Sequence, residues 1–448
     1  MELSNKTILV LGLGTTGLAV CEFLLKRAAT VVGVDDLPLA LLSPKVEKLT
    51  LQGVKIFSHS EEFQIEWDKI SLMIVSPGVP LNHLLVLEAL RRKIPVQGEL
   101  EFASQFFTSP VIAITGTNGK STTTELTGAL FENAGFNVAL GGNLGTPWLK
   151  LIDENPKPDW AILEVSSFQL ESIECFHPKI SMILNITDDH FERHQNMQGY
   201  RSAKGRIWLN QTPADFLIYN VNDVQVLKAT EGAVCKKIPF SSTEHVKGIY
   251  WDSEETLFSQ VSGAERIYSL KKSSLNGLHN IENMMAAIAA AELAGISQEV
   301  IEKTLQNFKA LPHRLEFVRE QDGIRYYDDS KGTNVGAVAM SLASFEDPVI
   351  LILGGKDKGG DYRILRALVK NKVRALVLLG EAKENIRLAL EGTAPMLEAG
   401  SMQEAVLRCR ELAKTGDVVL LSPACSSFDM FRDYKHRGDE FQKWVKQL

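Results

Sequence analysis

The sequence lacks any apolar run of the roughly 18–20 residues that a membrane-spanning helix needs. Its first residues, MELSNKTILVLGLG, lack the basic leader, apolar core and cleavage site of a signal peptide. The chain also lacks a basic excess: its net charge is −7, so no overall positive field favours nucleic acid. We therefore predict no membrane partner, no nucleic-acid partner and a cytoplasmic location.

Cysteine is scarce, and no two of the five cysteines have metal-binding or redox spacing. They are Cys21, Cys175, Cys235, Cys409 and Cys425. This pattern predicts reduced thiols. No repeat or low-complexity tract is present, and apolar and charged residues make up an ordinary 45% and 23% of the 448 residues. Such a length suggests about three domains.

Short apolar runs alternate with longer helical patterns along the chain. The runs are Thr7–Leu11, Val31–Val34, Leu72–Val75, Val111–Thr115, Ala161–Val165, Met182–Asn185, Phe216–Tyr219, Val349–Leu353, Ala375–Leu379 and Val418–Leu421. This alternation predicts parallel sheets with crossover helices. Ligands gather at the carboxyl ends of such strands, so the residues that follow each run are the candidates for a site.

The predicted fold is α/β with three domains. Residues 1–98 form a Rossmann-like domain, and residues 99–310 form a central P-loop ATPase-type domain with a mostly parallel sheet. Residues 311–448 form a C-terminal Rossmann-like α/β domain. The less regular stretch Ser241–Ser274 predicts a small β-rich excursion within the central domain.

The first glycine loop, Gly12–Gly17, has the pattern GxGxxG between a strand and a helix that is predicted to run to about Arg27. Its glycines allow a phosphate to approach the helix N-terminus, and Asp35 closes the next strand, where a ribose-binding acid belongs. A dinucleotide redox enzyme, a sugar-nucleotide enzyme and a tight turn without a ligand are all compatible with this loop. The short distance to the next domain disfavours a full dinucleotide fold.

The second glycine loop, Gly116–Thr122 with the sequence GTNGKST, lies between the strand Val111–Thr115 and a helix predicted at Thr123–Ala134. Backbone N–H groups of such a loop point at phosphate oxygens. Lys120 supplies a charge to the terminal phosphates, and Ser121 offers a hydroxyl to magnesium. The spacing departs from the standard motif, because an isoleucine replaces its first glycine. The loop nevertheless predicts ATP binding.

Hard metal ligands lie at or after two strands that are successive in the sequence. Glu164 lies at the end of one strand, well placed for magnesium, and the cluster TDDHFERH at Thr187–His194 follows the next. In the third domain, three polar segments follow strands and are open to either a solvated or a ligand-binding interpretation. They are Tyr327–Asn334, Gly354–Gly360 and Ser422–Asp429. Cys425 is a candidate nucleophile, although a small buried cysteine is the more common case.

These motifs together resemble the Mur ligases over essentially the whole chain. The most specific ones are GLGTTG at Gly12–Gly17, SPGV at Ser76–Val79, TGTNGKST at Thr115–Thr122, GGNLG at Gly141–Gly145, EVSSFQLE at Glu164–Glu171, LNITDDH at Leu184–His190, YRSAKGRI at Tyr200–Ile207, GLHNIEN at Gly277–Asn283, LPHRLE at Leu311–Glu316, DDSKGTN at Asp328–Asn334 and SPACSSFDMF at Ser422–Phe431. The last two are similar to those of the members that add D-glutamate.

The resemblance implies an ATP-dependent ligase that adds D-glutamate to UDP-N-acetylmuramoyl-L-alanine in peptidoglycan precursor synthesis. The substrate carboxylate attacks the γ-phosphate of ATP, which gives an acyl phosphate and ADP. The amine of D-glutamate then displaces phosphate. By resemblance its partners are UDP-N-acetylmuramoyl-L-alanine, D-glutamate and ATP, and the protein is expected to be a monomer.

The resemblance also implies two magnesium ions. The implied catalytic residues are Lys120, Glu164, His190 and Lys204, and the implied metal ligands are Ser121, Glu164, His190 and Lys204. In the family, the lysine that matches Lys204 is carbamylated, which turns a cation into a metal-binding carboxylate. This modification requires a neutral amine and therefore a lowered pKa.

The substrate-binding residues are carried over in the same way. ATP is expected at Gly116, Thr117, Asn118, Gly119, Lys120, Ser121, Thr122, Asn280, Arg314 and Asp329. The UDP-sugar is expected at Thr15, Thr16, Asp35, Ser76, Pro77, Gly78, Asn143 and Ser166. D-glutamate is expected at Thr333, Lys358, Ser427, Phe428 and Tyr434, with Lys356 as an alternative to Lys358. Because these residues come from several domains, the site is expected to be complete only when the domains close.

Three alternatives remain at this point. A related ligase would add another amino acid. A nucleotide-regulated binding protein would have no ligase activity, but it would not need every phosphate and metal position that this sequence retains. A dehydrogenase would use the first glycine loop for its cofactor.

Overall fold

The computed structural model describes residues 2–38, 41–42, 44–58, 65–143, 145–252, 255–275, 277–309 and 311–448. Three sheets organise these residues, and the predicted α/β class with three domains and mostly parallel sheets is confirmed. The predicted boundary at residue 98 falls between a strand and a helix. Ala310, at the second predicted boundary, and Leu144 of the GGNLG motif lie outside the described residues.

The first domain is a five-stranded parallel sheet in the order β3-β2-β1-β4-β5. Its central strand, TILVL, is almost entirely apolar and buried, as expected for a strand covered on both faces. The elements are β1 Thr7–Leu11, α1 Thr15–Leu25, β2 Thr30–Asp35, α2 Lys45–Leu51, β3 Lys55–Ser58, β4 Ile70–Val75, α3 Leu84–Arg91 and β5 Val96–Gly98.

The central domain contains a nine-stranded sheet in the order β14-β13-β12-β11-β10-β9-β6-β8-β7. The predicted β-rich excursion is its antiparallel end, β12–β14. The elements are α4 Glu99–Ser104, β6 Val111–Thr115, α5 Lys120–Asn133, β7 Val138–Gly142, α6 Trp148–Glu154, β8 Trp160–Glu164, α7 Ser167–Leu170, β9 Ile180–Ile183, α8 Phe191–His194, α9 Met197–Gly205, β10 Phe216–Asn220, α10 Val224–Ala229, β11 Lys236–Ser241, β12 Ile249–Trp251, β13 Thr256–Ser259, β14 Arg266–Ser269, α11 Leu278–Leu293 and α12 Gln298–Asn307.

The third domain has a six-stranded sheet in the order β15-β16-β20-β17-β18-β19, in which only the β15–β16 pair is antiparallel among the described pairs. The elements are β15 Glu316–Gln321, β16 Ile324–Asp328, α13 Val335–Ala343, β17 Val349–Gly354, α14 Arg366–Lys372, β18 Val373–Leu379, α15 Lys383–Leu390, β19 Met396–Ala399, α16 Met402–Leu412, β20 Val418–Leu421 and α17 Tyr434–Gln447. Among the helices of the described residues, none is both long enough and apolar enough to cross a bilayer.

The strand order of the central sheet places the phosphate loop at a switch point. Strand β6 lies between β8 on one side and β9 on the other, and all three are parallel. Ile114 pairs with Glu164 on β8 and with Met182 on β9, so the three strands end side by side. The segments that follow them therefore meet at one edge, where an open α/β sheet binds ligands.

Two helix boundaries differ from the sequence prediction. The helix after the phosphate loop begins at Lys120 instead of Thr123, because the loop turns directly into the helix after Gly119, which has a φ of 82°. The first helix ends at Leu25, before the predicted Arg27. In both cases the helix core was predicted correctly and only its end shifted.

A buried carboxylate joins α4 to the segment that precedes β9. Glu101 is 1% exposed and accepts hydrogen bonds from the backbone N–H groups of Glu174, Cys175 and Phe176 at 2.8–3.0 Å. These donors lie in a stretch without regular structure, so other backbone groups do not satisfy them. The carboxylate thus holds this stretch against the first helix of the central domain.

The substitution Glu101→Ala is expected to destabilise the central domain by about 2–4 kcal/mol, because it removes the charged acceptor of three backbone hydrogen bonds and leaves the N–H group of the buried Phe176 without a partner. Calorimetry should show a central-domain transition lowered by at least about 4 °C. The control Glu132→Ala removes an exposed glutamate of α5 and should change stability by no more than about 0.5 kcal/mol. Equal melting temperatures for the two variants would contradict this role for Glu101.

Candidate active site

The phosphate loop connects β6 to α5 in a conformation that requires glycine. Gly119 has a φ of 82°, and a Cβ atom there would lie 2.2 Å from Oδ1 of Asn283. Asn185 holds the loop from the neighbouring strand end, since its side chain accepts from the Asn118 N–H at 2.8 Å and donates to the Asn118 carbonyl at 3.1 Å. The loop is therefore fixed from two sides.

Lys120 folds back over this loop. Its Nζ donates to the carbonyl oxygens of Gly116 at 2.9 Å and Thr117 at 2.8 Å. Burial lowers the pKa of Lys120, and the negative charges of Glu164 and Asp189 partly oppose that effect. A cation held in this way can turn towards a phosphate group without leaving the site.

Glu164 lies next to the first helical turn of α5. Its carboxylate accepts a hydrogen bond from Ser121 Oγ at 2.6 Å and one from Asn143 Nδ2 at 2.8 Å. Burial acts to raise its pKa, but the charge of Lys120 and these two donors outweigh it, so the pKa lies below the usual value. Glu164 is thus an ionised carboxylate beside a hydroxyl. These hard oxygen atoms fit magnesium.

Lys204 lies on α9 and is 1% exposed. Its Nζ donates to the Gly116 carbonyl at 2.6 Å and lies 4.6 Å from the centre of the Tyr200 ring. Burial, followed by the positive charge of Lys120, lowers the pKa of Lys204 well below its usual value. Lys204 is therefore a buried lysine and not a solvated one.

His190 is the N-cap residue of α8 and has a φ of 55°, in the left-handed region. Its ring packs edge-on against Phe168, with 4.9 Å between the ring centres, and Nε2 lies 3.6 Å from Asp189 Oδ2. Burial is the main cause that lowers the pKa of His190. The ring is thus neutral near pH 7, the form in which a histidine can bind a metal.

A cleft between the central and third domains begins at the phosphate loop. Asn118, Gly119 and Thr122 of the loop and its helix line this cleft. So do Asn280, Arg314 and Asp329, which were predicted to bind ATP. Burial raises the pKa of Asp329 to about 6, although the hydroxyl groups of Ser341 and Ser422 each donate to it at 2.7 Å. The predicted ATP residues from the two domains thus line one cleft.

The same cleft contains residues that sequence reasoning did not single out. Asn283 accepts from Thr123 Oγ1 at 3.2 Å and packs under Gly119. Lys331 has a pKa lowered to about 8, and His279 one lowered to about 4, in both cases by burial and then by the charge of Arg314. All three belong to motifs noted above, GLHNIEN and DDSKGTN, and these motifs were the available signal.

A second cavity, of about 550 Å³, lies beside His190. Its walls include the predicted Thr333 and Lys358, together with Asp188 and Asp189. Lys358 lines this cavity, whereas the backbone of Lys356 pairs with that of Ser426 in an antiparallel bridge. The geometry therefore favours Lys358 over Lys356.

The other three predicted D-glutamate residues are not among the described residues that line this cavity. Ser427 is buried and Phe428 is 69% exposed. The ring of Tyr434 faces Lys331, whose Nζ lies 4.0 Å from the ring centre. Their roles stay predictions.

The first glycine loop opens onto a third cavity, of about 440 Å³. Gly14, Thr15 and Asp35 line it from the first domain, and Gly145 and Lys150 line it from the central domain. The Asp35 carboxylate accepts the N–H groups of Leu13 at 2.6 Å and Leu37 at 2.9 Å, so it also holds the loop in shape. Gly17 is needed there because a Cβ atom would lie 1.8 Å from the Gly12 carbonyl oxygen.

The remaining predicted UDP-sugar residues are spread over nearby elements. Ser76 donates to the Gly12 carbonyl at 2.7 Å, and with Pro77 it lines a separate small cleft that includes Arg193. Ser166 caps α7, and Asn143 contacts Glu164. Thr16 is the second residue of α1, and Gly78 is exposed. The structure thus brings Thr15 and Asp35 together and places the others towards the phosphate loop or at the first domain's edge.

Comparison with known proteins covers all three domains. The model "Mur ligase MurD-like, N-terminal domain" matches residues 6–98, "Mur ligase middle domain" matches residues 114–291, and "Mur ligase, glutamate ligase domain" matches residues 313–425. The UDP-N-acetylmuramoylalanine--D-glutamate ligase of Pelotomaculum thermopropionicum is 42% identical over 100% of this chain and 99% of its own length. The enzyme of the same name from Trichlorobacter lovleyi is 43% identical over 100% of both.

Solved structures share the fold at low identity. A pseudomurein peptide ligase type C from Methanothermus fervidus has a TM-score of 0.62 at 18% identity, covering 98% of this chain and 100% of that one. The MurF ligase of Thermotoga maritima in complex with ADP has a TM-score of 0.63 at 15% identity, covering 93% and 95%. With family models across all three domains and full-length relatives at this identity, the sequence-based prediction is confirmed: the chain belongs to the Mur ligase family.

Proposed function

We propose that this protein is an ATP-dependent ligase that joins D-glutamate to UDP-N-acetylmuramoyl-L-alanine, giving ADP and phosphate, in the synthesis of the peptidoglycan precursor. The observation that carries the proposal is the 40–43% identity, over essentially the full length, to relatives named for this reaction. Membership of the family leaves the dehydrogenase interpretation of Gly12–Gly17 without support. The first glycine loop then serves a sugar nucleotide.

The chemistry requires an activated carboxylate. A carboxylate oxygen of UDP-N-acetylmuramoyl-L-alanine attacks the γ-phosphorus of ATP, the bond to the β-phosphate oxygen breaks, and ADP leaves. The amine nitrogen of D-glutamate then attacks the acyl carbon, loses a proton, and phosphate leaves. Lys120 and the backbone N–H groups of its loop are suited to stabilise the negative charge of the transferred phosphoryl group.

The family uses ATP, and such ligases require magnesium. The oxygen atoms of Ser121 and Glu164 fit a magnesium ion, and we assign them to one ion, with His190 and Lys204 at a second. When bound, magnesium supplies positive charge at the phosphates. The contact between Ser121 and Glu164 at 2.6 Å keeps the two oxygen atoms together beside the loop.

We assign carbamylation to Lys204. Its amine is buried beside a second lysine, and the lowered pKa favours the neutral form that reacts with CO₂. The product is a carboxylate with a negative charge beside Lys120, in place of two adjacent cations. Such a group has the oxygen atoms that magnesium prefers.

The cleft at the phosphate loop, the cavity beside His190 and the cavity at the first glycine loop suggest how the three substrates are arranged. ATP would lie between the phosphate loop and Arg314, with the adenine near Asn280. D-glutamate would occupy the cavity lined by Thr333 and Lys358, where the lysine can pair with a carboxylate. The uridine diphosphate part of the sugar nucleotide would lie along Thr15 and Asp35. The alanyl carboxylate at the other end of this substrate would be directed towards the central domain.

Phosphate release is expected to require UDP-N-acetylmuramoyl-L-alanine, D-glutamate, ATP and magnesium together, because the amine must arrive to complete turnover. A coupled phosphate assay that omits each component in turn measures this. Omission of any one should reduce the rate to background. Equal rates with L-glutamate or a diamino acid would contradict the assignment of D-glutamate.

The substitution Lys204→Ala is expected to lower kcat by about 100-fold or more, the scale on which loss of a group that positions a metal acts. Added formate or acetate should restore part of the activity, since a small carboxylate can enter the space left by the side chain. Lys204→Arg keeps the positive charge but cannot form a carbamate, and it should be inactive without rescue.

A second readout does not depend on activity. Wild-type protein in ¹³C-bicarbonate should show a carbamate carbon signal by NMR that is absent from Lys204→Ala. The exposed Lys228→Ala on the neighbouring helix α10 serves as the control and should retain both the signal and full activity. Full activity in Lys204→Ala would rule out the carbamate.

A further inference from the structure

Two loops of the third domain meet beside the cavity that contains Lys358. We call residues 354–360 the Lys358 loop and residues 422–429 the Ser427 loop. Lys356 and Ser426 join them through two backbone hydrogen bonds, of 2.9 and 3.1 Å, and Ala424 of the Ser427 loop lines the same cavity as Lys358. Both loops therefore shape one cavity wall.

A single tyrosine hydroxyl touches both loops. Tyr362 is 4% exposed, and its hydroxyl donates to Asp357 Oδ1 of the Lys358 loop at 2.8 Å. The same oxygen lies 3.1 Å from the Sγ atom of Cys425 in the Ser427 loop. Burial raises the pKa of Cys425 to about 12, so its thiol keeps the proton and can donate it to the tyrosine oxygen. The hydroxyl thus links a carboxylate on one loop to a thiol on the other.

Asp357 connects Tyr362 to the backbone next to Lys358 through further hydrogen bonds. Its Oδ1 also accepts from the Gly359 N–H at 2.9 Å, and its Oδ2 accepts from Asn385 Nδ2 on α15 at 2.8 Å. Lys358 therefore lies between Asp357 and Gly359, which are joined by a hydrogen bond. The loop that carries the lysine is therefore tied to the Ser427 loop through Tyr362 and to α15 through Asn385.

The backbone N–H of Lys358 also donates to Asp357, whereas its side chain makes no hydrogen bond or ion pair among those of the described residues; Lys358 lines the cavity shared with His190 and Thr333. Its charge is one of the causes that lower the pKa values of His190 and Lys120. The position of this flexible side chain depends on its backbone, and its backbone depends on Asp357. Fixing a cation before a ligand arrives reduces the entropy lost on binding.

We propose that Tyr362 is a positioning residue for the amino-acid substrate: through Asp357 and Cys425 it fixes the Lys358 loop against the Ser427 loop, so that Lys358 is set to meet a substrate carboxylate. This inference rests on the proposed function for the reaction that it serves. Tyr362 itself is not among the described residues that line the cavity, so it acts through the loops.

The test is the variant Tyr362→Phe, which keeps the ring and removes the hydroxyl. The KM for D-glutamate is expected to rise about fivefold to tenfold, the scale on which the loss of one ordinary hydrogen bond acts, since Tyr362 affects the substrate only through the loops. The kcat at saturating D-glutamate and the KM for ATP should stay within about twofold, because Tyr362 is not among the described residues that line the nucleotide cleft.

Tyr268→Phe is the matched control. Tyr268 is also fully buried and its hydroxyl donates to a carboxylate, Glu292 Oε1, at 3.0 Å, but it lies on β14 at the far end of the central sheet. This variant should leave the KM for D-glutamate unchanged. A rise in this KM for Tyr268→Phe equal to that for Tyr362→Phe would overturn the proposal, since it would reveal a general loss of stability.

Asp357→Asn is a second variant that keeps the shape of the side chain and an acceptor for Tyr362. A KM between those of wild type and Tyr362→Phe supports the proposal. An unchanged KM in Tyr362→Phe overturns it, and so does a fall in kcat with no change in KM. Should wild type use a different amino acid, the same comparison of KM values is made with that amino acid, so an error in the substrate does not decide this test.

Discussion

The carbonyl oxygen of Gly116 accepts hydrogen bonds from two lysines, Lys120 at 2.9 Å and Lys204 at 2.6 Å. Positive charges on both amines would repel each other, and the carboxylates of Glu164 and Asp189 compensate part of that charge. Burial of like charges is costly unless an anion or loss of a proton relieves it. The phosphates of ATP and a carbamate on Lys204 would each do so. The two lysines thus meet at the point where the proposed chemistry places negative charge.

The third domain contacts this site through Asn334. Its Nδ2 donates to Asn118 Oδ1 of the phosphate loop at 3.1 Å and to Asp189 Oδ2 at 3.4 Å, while its Oδ1 caps α13. The helix that follows Thr333 is therefore placed against the phosphate loop. In this structure Arg314, Asp329 and Thr333 line clefts that groups of the central domain also line. Walls contributed by two domains reduce the access of water to a ligand that lies between them.

The sequence predicted the interior of each sheet better than its edges. The central strands β1, β6 and β20 were found with their observed bounds, because strands buried on both faces are continuous apolar runs. The strands that were missed include the sheet edges β3, β5, β7 and β19. Edge strands such as Lys55–Ser58 and Met396–Ala399 are short, mostly exposed or half-buried, and carry a charged residue, so their pattern does not differ from that of a loop. The local sequence therefore does not show that such a segment pairs with one neighbouring strand at the edge of a sheet.

The same limit applies to the candidate site. Glu164 ends an apolar strand, and Lys120 and His190 lie in the segments after two others, so topology brings them to one sheet edge and their positions could be predicted. Lys204 lies on a helix, and only the family resemblance identified it. Residues that act through a loop, such as Asp357 and Tyr362, have no such signal, since their role depends on a hydroxyl, a carboxylate and a thiol that meet only after folding. The reacting groups can therefore be predicted from strand ends, whereas the groups that hold them in place require the packed structure.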